Sequence, residues 1–276
     1  DPSMEIGMLL RNSGPVASAG FIADCARAGD ASGLDHLWVL DHVAIPPVDA
    51  EGSEGRYVDA LATLAYVAGI TTRVGLGTSV LVVPYRPALA TANWVAAIQE
   101  LSNGRLHLGI GAGWMPAEFT VTEVPREQRG QITNDTLAFI HRCFASDVVN
   151  HQGQDFIFSP RPQRPPILVG GSGKAALQRV VDYGEGWMPT SGEVDKLRQP
   201  IAELTQAMKS AGKAAPTVIP LSSLDLEQPD AAAAQLLALA EIGCSGFEHA
   251  GRYSTVDEFK LIADQLLDIR RRAGLD

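Results

Sequence analysis

An acid followed at once by an imidazole, Asp41-His42, closes the apolar run Trp38-Val39-Leu40. Histidine titrates near neutrality and can give or take a proton, so at the mouth of a cleft this pair suits general acid–base chemistry. The plain alternative is that Asp41 caps the loop running on to Arg56 and His42 only braces it. A second loaded stretch is Leu168-Val169-Gly170-Gly171-Ser172-Gly173-Lys174. Glycines ahead of a helix leave free N–H groups at the positive end of its dipole, a ready site for phosphate. A Walker A loop is excluded, because Leu168 stands where its first glycine is required and Ala175 follows the lysine. A tight strand-to-helix turn capped by Ser172 is the bland reading. A third stretch, Gly109-Ile110-Gly111-Ala112-Gly113-Trp114, alternates glycines and lets a flat ligand approach the backbone. Trp114 takes the third-glycine place of a dinucleotide fingerprint, which rules that motif out.

Other candidates are weaker. Thr78-Ser79-Val80 leads into Leu81–Pro87, a run too long for one barrel strand, so a bulge or break is expected there. Trp187, in Gly184–Pro189, either walls a ring-shaped ligand or fills the top of the fold. Glu248-His249 reads as a solvated loop pair. His36, His107, His141 and His151 fall in no ligand spacing, no H-E-x-x-H occurs, and a metal site is not expected. No G-x-S-x-G elbow is present for a serine hydrolase. Cys25, Cys143 and Cys244 are far apart and form no redox or metal pair, which points to a reducing, cytoplasmic compartment.

The chain has 276 residues, 46% of them hydrophobic, and a net charge of −10. That charge argues against nucleic-acid partners, and no apolar run approaches the roughly 20 residues of a membrane span. The opening Asp1-Pro2-Ser3-Met4 lacks the basic-then-apolar pattern of a secretory leader.

Eight β-like runs can position these residues: Glu5–Leu10, His36–Leu40, Val74–Val80, Leu106–Ile110, Pro166–Val169, Gly186–Met188, Thr217–Pro220 and Cys244–Glu248. Most are continuous apolar runs, as in parallel strands covered on both faces. Eight helical patterns alternate with them: Pro15–Ala31, Tyr57–Ile70, Ala88–Leu101, Gln128–Phe144, Lys174–Tyr183, Val194–Ala211, Ala231–Ile242 and Val256–Ala273. The alternation predicts a single (β/α)8 TIM barrel over residues 1–276, with a hairpin and Pro-rich connector inserted at about 146–164, before the fifth strand. In such a barrel the chemistry sits at the carboxyl ends of the strands, where all three stretches fall.

In their order and spacing several segments resemble the luciferase-like superfamily, particularly its coenzyme F420-dependent oxidoreductase branch. They are Gly33–Trp38 with Asp41-His42, Gly75–Val80, Leu101–Leu106, Gly109–Trp114 and Pro166–Ser172. The resemblance implies a cofactor in the barrel mouth with its phosphate on Gly170, Gly171, Ser172 and Gly173. It implies that Asp41 and His42 meet the ring system, with His42 the catalytic proton handler. Ser79-Val80 matches a position where relatives carry a non-prolyl cis peptide against the ring, and Ala112 and Gly113 would line the path of the ring and tail. Some members carry a catalytic glutamate just past the strand-four glycines. Here that place is Trp114 and the next carboxylate is Glu118, which disfavours sugar-phosphate chemistry. The expected function is hydride transfer between F420 and a small organic substrate by a homodimeric enzyme. The alternatives are an FMN-dependent monooxygenase fed by a separate reductase, and a non-catalytic cofactor-binding barrel. Arg56, Arg86, Arg126 and Arg129 lie on candidate mouth loops, where the acidic tail of F420 would favour basic residues.

Overall fold

The computed structural model describes residues 3–276; Asp1 and Pro2, part of the stretch read as lacking a leader, lie outside the described residues. Eight strand positions alternate with helices: β1 (Glu5–Leu9), β2 (His36–Val39), β3 (Gly75–Thr78), β4 (Leu106–Gly111), β5 (Ile167–Gly170), β6 (Gly186–Met188), β7 (Thr217–Val218) and β8 (Gly246–His249). Neighbours in this order pair in parallel, and β8 pairs with β1. The ring closes through the seventh position. Thr217–Val218 pairs with β6, and a continuation, Leu221–Ser222, pairs with β8. The expected strand Thr217–Pro220 is therefore split at Ile219-Pro220, a proline having no N–H for the ladder.

The third strand also breaks, as its length suggested. After β3 the chain resumes as Leu81–Val82, still beside β4. Gly77 faces His107 and Leu81 faces Ile110, so Thr78, Ser79 and Val80 oppose only Leu108 and Gly109. That extra residue makes a bulge. The Ser79–Val80 peptide is cis. A side chain at Gly109 would put its Cβ 1.9 Å from the Thr78 carbonyl, so the strand beside the bulge must be bare at that point.

Glycines likewise admit one large ring to the interior. A Cβ at Gly7 would sit 2.6 Å from Trp38 Nε1, and one at Gly77 2.3 Å from the Trp38 ring. Trp38, Leu168, Met188 and Ile219 fill the barrel, with Val80 packed on them. Beside Trp38 the His36 and His107 rings meet at 3.3 Å between their Nε2 atoms. Burial first, and the neighbouring His107 second, push the His36 imidazole down to about 3, so it stays neutral.

Outside lie α1 (Ala19–Ala31), α2 (Ala60–Ala68), α3 (Ala88–Leu101), α4 (Arg129–Ala145), α5 (Lys174–Tyr183), α6 (Val194–Ser210), α7 (Pro229–Glu241) and α8 (Val256–Arg272). Caps set their starts. Ser18 and Asp59 accept from Phe21 and Ala62, so α1 and α2 begin later than their apolar patterns. Thr255 accepts from Glu258 N–H at 3.1 Å, one half of a capping pair that starts α8. The insertion forms an antiparallel hairpin, Val148–His151 with Gln154–Ile157. Val149 and Phe158 seat it on Phe139, Ile140 and Cys143 of α4.

Candidate functional site

A cavity of about 600 Å³ opens where β2 to β6 end. Of the residues singled out from sequence, Asp41, His42, Ser79, Val80, Ala112, Gly113, Gly170, Gly171 and Ser172 line it. Gly173 and Trp187 do not. They line an adjoining cavity of about 350 Å³ with Lys174 and Leu197. Trp187 is 3% exposed, and its Nε1–H donates to the Gly171 carbonyl at 2.8 Å, so it braces the glycine turn from behind.

The floor is built by the bulge. A Cβ at Gly111 would lie 2.7 Å from one Val80 methyl, and a Cβ at Gly170 2.9 Å from the other. Val80 thus rests between two bare backbones and offers the cavity an apolar surface. Asp41 secures this arrangement from the side. Its carboxylate accepts from Val82 N–H at 2.9 Å and from both terminal nitrogens of Arg86 at 2.7 and 2.8 Å. Asp41 therefore fixes the strand past the bulge and has little capacity left for a ligand. Arg86 is occupied by Asp41 and Asp59.

His42 has a partner that the spacing argument set aside. The short helix Pro116–Val121, which the sequence reading missed, turns Glu118 back into the protein, where it is 1% exposed. Its carboxylate meets His42 Nδ1 at 3.1 Å and accepts from the Tyr85 hydroxyl at 2.8 Å. The N–H groups of Val43 and Ala44 also donate to it, at 2.6 and 3.1 Å. Burial alone would raise this carboxyl. The Ala44 N–H, Tyr85, the Val43 N–H and His42 together outweigh it and hold the group below the usual carboxylate range. An ionised Glu118 can only accept, so Nδ1 is the protonated nitrogen and Nε2 is left to take or return a proton. Tyr57 and Trp114 flank the ring at 4.9 and 6.4 Å between centroids.

The far wall is positive. The turn Gly170–Gly173 leads into α5, and Gly171 and Gly173 hold φ of 92° and 82°, which suits glycine. Gly173 is the N-cap and no side chain caps the helix, so Ser172 does not act as the cap. Arg129 and Arg179 line the same wall. Arg179 is only 8% exposed; its Nε donates to Asn134 Oδ1 at 2.7 Å and its Nη2 to the Gly130 carbonyl at 3.5 Å. Neither arginine is in an ion pair among the described residues. Arg56 and Arg126 turn elsewhere, donating to the Ala17 and Trp114 carbonyls.

Glu248 and His249 correct an expectation. They are buried, at 0% and 3% exposure, because they close the barrel between β1 and the Leu221–Ser222 continuation. Among the described residues no cluster of His, Cys, Asp and Glu could hold a metal ion, and no helix is long and apolar enough to cross a membrane.

The mouth of this closed parallel barrel thus brings an apolar floor, a bare glycine turn, two arginines and a carboxylate-held imidazole into one cavity. The family model of luciferase-like monooxygenases matches residues 4–267, and the chain belongs to that family of oxidoreductases. An F420-dependent glucose-6-phosphate dehydrogenase of Amycolatopsis mediterranei is 32% identical over 202 residues, 67% of this chain and 59% of that protein. An F420-dependent secondary alcohol dehydrogenase, solved with an F420–acetone adduct, shares the fold with a TM-score of 0.68 at 20% identity, over 95% of this chain and 82% of that one. The oxygenating constituent of 3,6-diketocamphane monooxygenase from Pseudomonas putida, solved with FMN, does so with a TM-score of 0.76 at 14% identity, over 95% and 98%.

Proposed function

We propose that this chain is an F420-dependent oxidoreductase that moves a hydride between the deazaflavin and a small organic substrate, with His42 as the proton partner. The observation that carries the reading is one cavity holding His42 and the Val80 floor together with Arg129 and Arg179, neither of them in an ion pair among the described residues. The residues fit the group: Val80 between Gly111 and Gly170 suits a planar ring, and the Gly170–Gly173 amides with Arg179 suit a phosphate. When bound, the deazaflavin supplies the two-electron chemistry.

The chain's own part is placement and proton handling. Glu118 keeps Nδ1 protonated, leaving Nε2 to accept the proton of a substrate hydroxyl as its carbon is oxidised. The carboxylate then stabilises the imidazolium, and in the reverse direction the same proton is returned. An alcohol–carbonyl pair is the substrate class such an arrangement serves. F420 is preferred over FMN because the relative with the F420-dependent activity aligns with two thirds of this chain at 32% identity. Equilibrium titration with both cofactors tests this. F420 is expected to bind at least about tenfold more tightly than FMN, a difference of ~1.4 kcal/mol. Tight FMN binding with no F420 binding overturns the reading in favour of a monooxygenase supplied by a separate reductase.

Two further properties belong to the proposal. The three cysteines are free and buried, which suits the reducing cytoplasm. The outer faces of α2 and α3 suit a second copy of this chain. Tyr66, Leu89, Trp94 and Leu101 are 44, 42, 42 and 62% exposed there. Glu100 is the one charged residue exposed along these two helices. A chain with net charge −10 can approach its own copy most readily over a face with so little charge. Light scattering is expected to give a dimer for the wild type and a monomer for Trp94→Arg; a wild-type monomer removes this element.

A further inference from the structure

Beneath the cavity floor lies an acid that the proton handling above does not use. Glu248, in β8, is fully buried. Its Oε1 is 2.7 Å from Ser79 Oγ, and its Oε2 has no partner. The elements packed around it bring no charge: β1 places Gly7 opposite it, the β7 continuation places Leu221, and the bulge places Ser79. The indole of Trp38, whose Nε1 is also unpartnered, approaches at Gly7. Of the buried histidines, His36 and His249 are pushed down by burial to about 3 and about 4, and burial lowers His107 as well.

These contacts decide where the proton is. An ionised Glu248 would bury a carboxylate oxygen that no cation pairs with and no donor reaches within hydrogen-bond distance, which is strongly unfavourable. A neutral carboxylic acid leaves only a carbonyl-like oxygen unpaired, a far smaller penalty. Burial accordingly pushes this carboxyl up to about 8, with the Ser79 hydroxyl acting the other way. A hydroxyl that accepts from one neighbour is free to donate to another. Ser79 lines the cavity, and Glu248 is the one side chain that its hydroxyl meets.

We propose that Glu248 is a positioning residue: as a neutral acid it donates to Ser79 Oγ, turns the Ser79 O–H into a donor toward the cavity, and so selects a ligand presenting an acceptor at the bulge. The acceptor class is a carbonyl oxygen or an unprotonated ring nitrogen. The role of that ligand as cofactor rests on the reading above; the state of Glu248 does not.

The test therefore begins on the ligand-free protein. Infrared spectra at pH 7 are expected to show the carbonyl band of a protonated carboxylic acid, lost in Glu248→Gln and shifted in Ser79→Ala. Absence of the band in the wild type, or no shift on removing Ser79, overturns the proposal. The second arm measures F420 affinity from pH 6 to 9. Loss of one hydrogen bond should weaken wild-type binding roughly five- to tenfold as pH rises through about 8. Glu248→Gln should stay flat, because its amide donates to Ser79 at every pH, and any titration of the cofactor itself is common to both proteins. Matching pH profiles in the two proteins overturn the proposal. If no variant binds F420 or FMN, the cofactor reading falls while the infrared arm still decides the Glu248–Ser79 link.

Discussion

His42→Ala is expected to lower turnover by about 10²- to 10⁴-fold, the usual contribution of a positioned acid–base group, while leaving F420 affinity within about threefold. The separation follows from the division of roles: the imidazole stands beside Trp114 and Tyr57, whereas the phosphate is assigned to the glycine turn and Arg179. Glu118 should share the phenotype through His42. In Glu118→Gln the Val43 and Ala44 N–H groups keep an acceptor, but the amide cannot stabilise an imidazolium. A fall of about tenfold or more is expected, because the neutral amide no longer supports the proton transfer at His42. Single-turnover kinetics of the two variants measures both losses. Equal rates in wild type and His42→Ala would remove the imidazole from the chemistry and leave a cofactor-binding barrel.

Arg179→Met is expected to weaken F420 binding by about 10- to 100-fold, the range for losing charge-assisted hydrogen bonds to an anion. The ligand-free protein should be no less stable, and its melting temperature could rise. Arg179 is more than nine-tenths buried with no carboxylate in ion-pair contact, and burial lowers its affinity for its proton, so removing its charge relieves a desolvation cost. Arg129→Ala, at a partly exposed arginine, should give a smaller loss. Calorimetric titration beside thermal melting separates the cases. A large loss of stability with unchanged affinity would make Arg179 a structural link to Asn134 on α4.

The barrel was legible in the chain because parallel strands covered on both faces leave continuous apolar runs, and those runs alternate with helical periods. The places where pattern and structure part have physical reasons. At Thr217–Ser222 one segment serves two neighbouring strands at different points along its length, and a six-residue pattern cannot show which neighbour each half meets. In α1 and α2 the apolar periodicity runs into the preceding loops, and the hydrogen-bonding caps Ser18 and Asp59 set the true starts.

The site was legible to the extent that its parts are backbone features. Glycine spacing marks where backbones must be bare, and Gly111, Gly170 and Gly171 all reach the same cavity as Asp41-His42. The missed residues are side chains whose partners are remote in sequence. Glu118 lies 76 positions from His42, and only the return of the short Pro116–Val121 helix brings them together. Pro116 at its first position was the available signal. Arg179 looked like any arginine of an amphipathic helix; its lack of a carboxylate is visible only in three dimensions. Glu248 was misplaced because an acid at the end of a strand is usually solvated, whereas here closure of the ring surrounds it.

The account stands most directly on where a bound deazaflavin lies. A crystal structure of the F420 complex is predicted to show the phosphate within hydrogen-bond distance of the Gly170–Gly173 amides and of Arg179, with the three-ring plane against Val80 and its reactive edge toward His42. A phosphate held elsewhere, or a ring system lying outside the cleft between Val80 and His42, would contradict it.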